Sequence, residues 1–361
     1  MQAMPGSGFK RKEDYAMAAT IEEKSLIFYC YSLMTDAREF CVLSEERFWA
    51  AGHSRKIEFR FWNCYLEPPG KDGDIYVYDG MALSALADRG FIRPLPELLV
   101  PDGIFEWVLD GSWFEKELYD LPFLVCTDVL ISRKEEDEPV QNLFDIRDGM
   151  AAPMKSMIGE YYTFAYFNSS EKDRGSLAAL LYLLERIGGK KFLIRSDIVN
   201  YDGRARFARG ECRYLLGFTE DLRYLPEGDY IVRKSNLSDS STIEVPFCYV
   251  NYISIGEGAS EEKIPDCIAM LELLSKDMFI RTFAEAEGKM RYILPAREGM
   301  YAELIQRNAL YEPLYEIASD RNNCVLRCGR DFYEVFPKKF GRLYEQLTEE
   351  DSEGMTERPP Q

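Results

Sequence analysis

The sequence predicts an α/β protein of two lobes with a cleft between them, on three observations. Apolar runs of strand character alternate with amphipathic helical stretches for most of the length, which implies layered sheets joined by crossover connections. The chain has 361 residues and 46% hydrophobic content, more than a single core ordinarily organises. Charge-rich runs at 132–139 and 234–241 read as surface turns with strand-like segments beside both. Two crossings between two lobes fit that layout.

The elements follow in order. "KSLIFYCYSL" is an apolar strand. "SEERFWAAG" ends a helix, with Ser44 as a cap, early glutamates and a closing glycine. "KIEFRFWNCYLE" is aromatic and alternates in places, as a strand does. "GDIYVYDGMALSALADRGFIRPL" reads strand, turn, helix, turn, and "AALLYLLERIGGKKFLIRSDIV" reads helix, glycine stop, strand. "IPDCIAMLELLSKDMFIRTFAEAEG" and "EGMYAELIQRNALYEPLYEIAS" are long amphipathic helical stretches. Residues 1–24 and 348–361 have the composition of a disordered lead-in and tail.

Composition excludes several classes. A formal net charge of −18 repels phosphate backbones and anionic membranes, so neither nucleic acid nor membrane is expected as a partner. A small cationic ligand is attracted instead. Tyrosine (23) and phenylalanine (22) are abundant; most must be core, and the excess suits a pocket that stacks on a flat ring. Nine cysteines, an odd number at irregular spacings, point to reduced thiols and a cytoplasmic setting. The N-terminal stretch carries no apolar run of signal-peptide or membrane-span length. One histidine, His53, follows a helix-ending glycine and reads as a solvated residue. A multi-histidine zinc site is therefore impossible, and neither a P-loop nor a strand-following GxGxxG occurs. Cys324 and Cys328 have no second ligand pair nearby, so no metal site is expected.

"DLPFLVCTDVLISRKEEDE" puts Cys126 at the end of an apolar run. A free thiol, with a pKa of about 8.5, is only a few per cent thiolate at neutral pH. Without histidine its base must be a carboxylate, a tyrosine or the substrate. A buried carboxylate raised towards neutrality can do this. Glu220 in "CRYLLGFTEDLRYL" is one such candidate, flanked by Phe218 and Leu222. It also reads as an ordinary acid in a first helical turn, with Thr219 as the cap.

These segments resemble the thiaminase I (thiamine pyridinylase) family, in patches from about residue 25 to about residue 300. "FYCYS" matches a Tyr-x-Tyr at a strand end, giving Tyr29 and Tyr31. "WNCYLEPPGKDGDIYVYDG" gives Tyr65 and Asp79, "LPFLVCTDVLISRK" the catalytic cysteine Cys126, and "NYDG" gives Tyr201. "GFTEDL" gives Phe218 and the cysteine-activating Glu220, and "YVNY" gives Tyr249 and Asn251. "YILPARE" resembles a segment common in solute-binding proteins. Two positions depart from the family pattern: Phe218 replaces a tyrosine and Asn251 an aspartate, both on the pyrimidine side.

The resemblance implies a type II periplasmic-binding-protein-like fold. Residues 25–132 plus 254–300 would form one lobe, and 133–253 plus 301–347 the other. It implies a transferase that displaces the thiazole of thiamine, or of a related aminopyrimidine, with a small nucleophilic co-substrate. A covalent Cys126–pyrimidine adduct carries the transfer and no cofactor is needed. Tyr29, Tyr31, Tyr65, Asp79, Tyr201, Phe218, Tyr249 and Asn251 would line the substrate. The family is typically secreted, against the cytoplasmic expectation above. The alternative is a non-catalytic thiamine or aminopyrimidine binding protein of the same fold.

Overall fold

The computed structural model describes residues 25–136, 150–151, 203–234, 247–286 and 288–340. In chain order its strands are β1 (Leu26–Tyr31), β2 (Ile57–Trp62), β3 (Ile75–Asp79), β4 (Trp113–Phe114), β5 (Glu117–Leu118), β6 (Leu121–Arg133) and β7 (Met150–Ala151). There follow β8 (Tyr214–Phe218), β9 (Tyr230–Lys234), β10 (Phe247–Ile255), β11 (Glu285–Ala286), β12 (Lys289–Met290), β13 (Leu294–Pro295) and β14 (Cys324–Val325).

Among the described residues the main sheet path runs β2-β1-β3-β10-β6-β8-β7, with β13 and β9 on β6 and β14 on β10. The first three strands are parallel. Strands β1 and β3 are buried on both faces and apolar or aromatic almost throughout, as a covered parallel sheet requires, while the edge strand β2 is only partly buried. Strand β10 then runs antiparallel to both β3 and β6.

The strand that organises the molecule is β6. Its first half, Leu121–Thr127, pairs with β10. Its second half, from Asp128 on, pairs with β8 and β9. One strand thus serves two sheets, and the handover falls between Thr127 and Asp128. We propose that each of the two sheets is the core of one lobe. Since β10 from Cys248 to Ile255 pairs with β6 and β3, we propose that the chain re-enters the first lobe near residue 247 rather than at 254. The C-terminal segment also reaches the first lobe: Arg330 pairs with Asp88, and the Phe336 ring lies 6.0 Å from Tyr65.

Several local expectations are corrected. The first helix spans Ala37–Ala50 and ends before Gly52 at φ 95°. Ser44 lies inside it, and its hydroxyl donates back to the Phe40 carbonyl at 2.6 Å instead of capping. The long stretch at 264–288 is two helices, Ile264–Leu274 and Asp277–Phe283, broken where Lys276 turns extended. The stretch at 298–319 likewise divides into Tyr301–Arg307 and Tyr311–Ala318, at an extended Asn308. "AALLYLLERIGGKKFLIRSDIV" lies outside the described residues. So do the lead-in and the tail.

Candidate active site

Cys126 lies one residue before the handover on β6. From Leu121 to Ser132 every residue of the strand is buried except Cys126, so the thiol stands where the sheet opens. Glu220 comes from the other side. Strand β8 ends at Phe218 opposite Asp128, and the chain turns into a single 3-10 segment, Thr219–Tyr224. That turn carries the Glu220 carboxylate to the thiol, and Cys126 Sγ donates to Glu220 Oε2 at 3.3 Å.

Both Glu220 oxygens are held. Thr219 Oγ1 donates to Oε2 at 3.0 Å, and Thr35 Oγ1, from the loop after β1, donates to Oε1 at 3.4 Å. Thr219 is therefore not the cap. The cap position is Phe218, and Asp221, three residues on, reaches back with Oδ2 to accept from the Phe218 N–H at 2.9 Å. Burial pushes the Glu220 carboxyl above the ordinary glutamate value, against the lowering effect of its own backbone N–H, Cys126 and Thr219. Asp221 beside it adds to the rise.

The register groups further predicted residues. Tyr249 stands directly opposite Cys126, and Asn251 opposite Asp79. Paired residues and residues two apart share a face, so Cys126, Tyr249, Asn251 and Asp79 present one face of the sheet. Phe218 meets Tyr249 edge-on at 6.3 Å. Asp79 is buried and its Oδ1 accepts from Met81 N at 2.9 Å, capping the turn after β3. Asn251 is 8% exposed, and its Oδ1 has no partner among the described residues. A buried orphan acceptor of this kind calls for a ligand donor or a water. Tyr31 and Tyr65 form an edge-on pair at 5.7 Å with hydroxyls 3.3 Å apart.

Two predicted residues stand apart from this group. The Tyr29 ring stacks on Tyr76 at 5.4 Å, and its hydroxyl donates to Asp72 and accepts from Arg60. Those contacts tie it to the loop before β3 rather than to Cys126 and Glu220. Tyr201 lies outside the described residues. His53 is also placed elsewhere, half-buried rather than solvated. It stacks on Phe48 at 4.4 Å and sets Nδ1 3.3 Å from Asp266. Thr35, with Asp36 beside it, was not legible in the sequence, because its contact with Glu220 spans 185 residues. Among the described residues no group of three or more His, Cys, Asp or Glu side chains could hold a metal.

No protein family model matches the chain. A search of characterised proteins finds thiaminase-1 of Paenibacillus thiaminolyticus, 25% identical over 335 residues, covering 79% of this chain and 81% of that protein. The chain is similar to thiaminase I. Among solved structures, Clostridium botulinum thiaminase I in complex with thiamin superposes with a TM-score of 0.77. It is 22% identical and covers 90% of this chain and 100% of its own. A tagatose-bound solute-binding protein of an ABC transporter from Thermotoga lettingae gives 0.67 at 14% identity, covering 91% and 95%. The fold is that of the two-lobed type II periplasmic binding proteins, shared by thiaminase I and by sugar receptors. Among the described residues no helix is long and apolar enough to cross a membrane.

Proposed function

We propose that this chain is a thiaminase I-like transferase acting on thiamine or a closely related aminopyrimidine. The observation that carries the reading is the Cys126–Glu220 contact at 3.3 Å, at the handover of β6 between its two sheets. The similarity to thiaminase-1 supports the substrate class.

In the proposed cycle Glu220 accepts the Cys126 proton as the sulfur adds to the pyrimidine carbon beside the methylene-bearing position. The ring gains an S–C bond and takes up at nitrogen the proton that Glu220 has just accepted. The bond from the methylene to the thiazolium nitrogen then breaks. Its electron pair leaves with the ring, which departs as neutral thiazole. A second nucleophile adds at the methylene carbon and loses its proton. The S–C bond breaks, the ring nitrogen gives its proton back through Glu220 to sulfur, and the ring regains aromaticity. Covalent catalysis of this kind divides one difficult displacement into easier steps. Asp79 and Asn251 would orient the pyrimidine nitrogens, and Tyr31, Tyr65, Phe218 and Tyr249 would form its aromatic walls. Asn251→Asp is expected to preserve or raise kcat/KM if Asn251 reads the ring. Asn251→Leu should raise KM, and an unchanged KM would remove the residue from the site.

The test is incubation with thiamine and aniline or pyridine. Exchange product supports the transferase. Tight binding without product favours the non-catalytic binding protein, the second reading. Neither binding nor product would overturn both.

A further inference from the structure

Glu220 meets Cys126 only if the turn that carries it is held against the first sheet, and a cluster of charged groups does this. Asp36 starts the helix Ala37–Ala50 in a left-handed conformation, φ 50° and ψ 40°, which Asp tolerates better than most residues. Its Oδ2 accepts from two guanidiniums at once. Arg291 Nε lies at 2.6 Å, and Arg223 Nη1 is the second donor. Arg291 is a fixed post, with 1% of its side chain exposed. It donates to the Phe283 and Glu285 carbonyls, pairs with Glu39 at 2.5 Å and lies over the Phe283 ring at 4.6 Å. Arg223 belongs to the same 3-10 turn as Glu220, three residues on. The residue before Asp36 is Thr35, which donates to Glu220 Oε1. Burial opposes ionisation of Asp36, but Arg291 and Arg223 together hold its carboxyl below the usual range.

Resting on the transferase reading above, we propose that Thr35 and Asp36 are positioning residues that latch the Glu220-bearing turn, through Glu220 itself and through Arg223, against Cys126. The turn is also fixed on its own side, where Arg204 pairs with Asp221 at 3.3 Å and lies over the Tyr224 ring. The link that joins the two sides is therefore Asp36–Arg223 with Thr35–Glu220. The Asp36 and Arg223 side chains are 24% and 22% exposed. A pair so placed is weakened by water and by salt, so it can release to admit substrate.

The latch has a signature that simple destabilisation lacks. A carboxylate beside a thiol favours the protonated thiol. Releasing Glu220 should therefore make Cys126 easier to alkylate while making turnover slower. The groups facing Glu220 are Cys126 from β6, Thr35 from the first loop, Thr219 and Asp221 beside it, and Tyr311 from the helix Tyr311–Ala318.

The experiment compares full-length wild type with Asp36→Asn, Arg223→Gln and the double variant. Asparagine tolerates the left-handed backbone, so Asp36→Asn removes charge without forcing a new conformation. Iodoacetamide labelling, mapped by mass over all nine cysteines, and thiamine–aniline exchange are both read as functions of pH. The expected result is about a tenfold or larger loss of kcat/KM. Its acidic limb should move to lower pH as Glu220 becomes hydrated. The pH profile of Cys126 labelling alone should also shift to lower pH, and the double variant should be no worse than either single one. Unchanged labelling and limb, additive losses, or faster labelling spread over every cysteine would overturn the latch. If wild type shows no thiamine exchange but the Cys126 labelling profile shifts as described, the latch stands and the substrate assignment falls.

Discussion

Cys126 Sγ and Glu220 Oε2 lie 3.3 Å apart although 94 residues separate them in the chain. The thiol comes from the first half of β6 and the carboxylate from the turn after β8. The contact exists because β6 passes from one sheet to the other within two residues of Cys126. Cys126→Ser should abolish exchange, since a hydroxyl is far less acidic and a poorer nucleophile towards a ring carbon. Glu220→Gln should cost roughly a hundredfold or more in kcat, the scale of a lost general base. Intact mass with a thiamine analogue that traps the adduct gives the check. An adduct that survives Cys126→Ser would move the nucleophile to another cysteine.

The pH dependence follows from Glu220. As a base it must be ionised, and burial raises its carboxyl above the ordinary value. Activity should therefore fall as pH drops through that raised value, at a higher pH than an exposed glutamate would dictate. Glu220→Gln should leave residual activity without that limb. A limb at the same pH in wild type and variant would assign it to another group.

How much of this was readable beforehand depends on the range of each interaction. Strand and helix placement came from local pattern, and β1, β2, β3 and the helix Leu83–Asp88 lie where periodicity puts them. The breaks at Lys276 and Asn308 did not, because neither site carries glycine or proline to mark it. Cys126, Glu220, Tyr249, Asn251 and Asp79 were named through resemblance, and the face that Cys126, Tyr249, Asn251 and Asp79 share came only from the register of the paired strands. Tyr29 is set apart by its contacts and not by phase, since its ring stacks on Tyr76 and its hydroxyl reaches Asp72. Asp36, Arg223 and Arg291 were invisible because their contacts span 187 and 255 residues. Nothing local in "MTDARE" distinguishes a latch from an ordinary helix start.

His53 offers a control of the opposite kind. Its ring stacks on Phe48 and faces Asp266, which also pairs with Arg55 at 2.5 Å. His53→Ala removes packing and one partner of Asp266, a loss of about 1 kcal/mol. Thermal unfolding should show that loss while kcat/KM stays intact. A collapse in turnover without a change in stability would place the imidazole in the chemistry.

Asp120 supplies a prediction about stability alone. It is fully buried just before β6, and its Oδ1 accepts from both Tyr78 and Ser254 while Oδ2 has no partner among the described residues. Burial raises its carboxyl from 3.8 to about 7, against the lowering effect of those two hydroxyls and of Arg327. Below about pH 4 the group is protonated both folded and unfolded, so it costs nothing. Between there and about 7 the unfolded chain releases a proton that the folded chain keeps, so stability falls as pH rises. Above about 7 the penalty is constant, of order 4 kcal/mol at about 1.36 kcal/mol per unit. Asp120→Asn cannot ionise, so the stability difference between wild type and variant should change across pH 4 to 7 and be flat above. Urea unfolding at pH 4.5, 6 and 7.5 measures it. A difference that does not vary with pH would mean that Asp120 stays ionised in the core, with its charge met by Arg327.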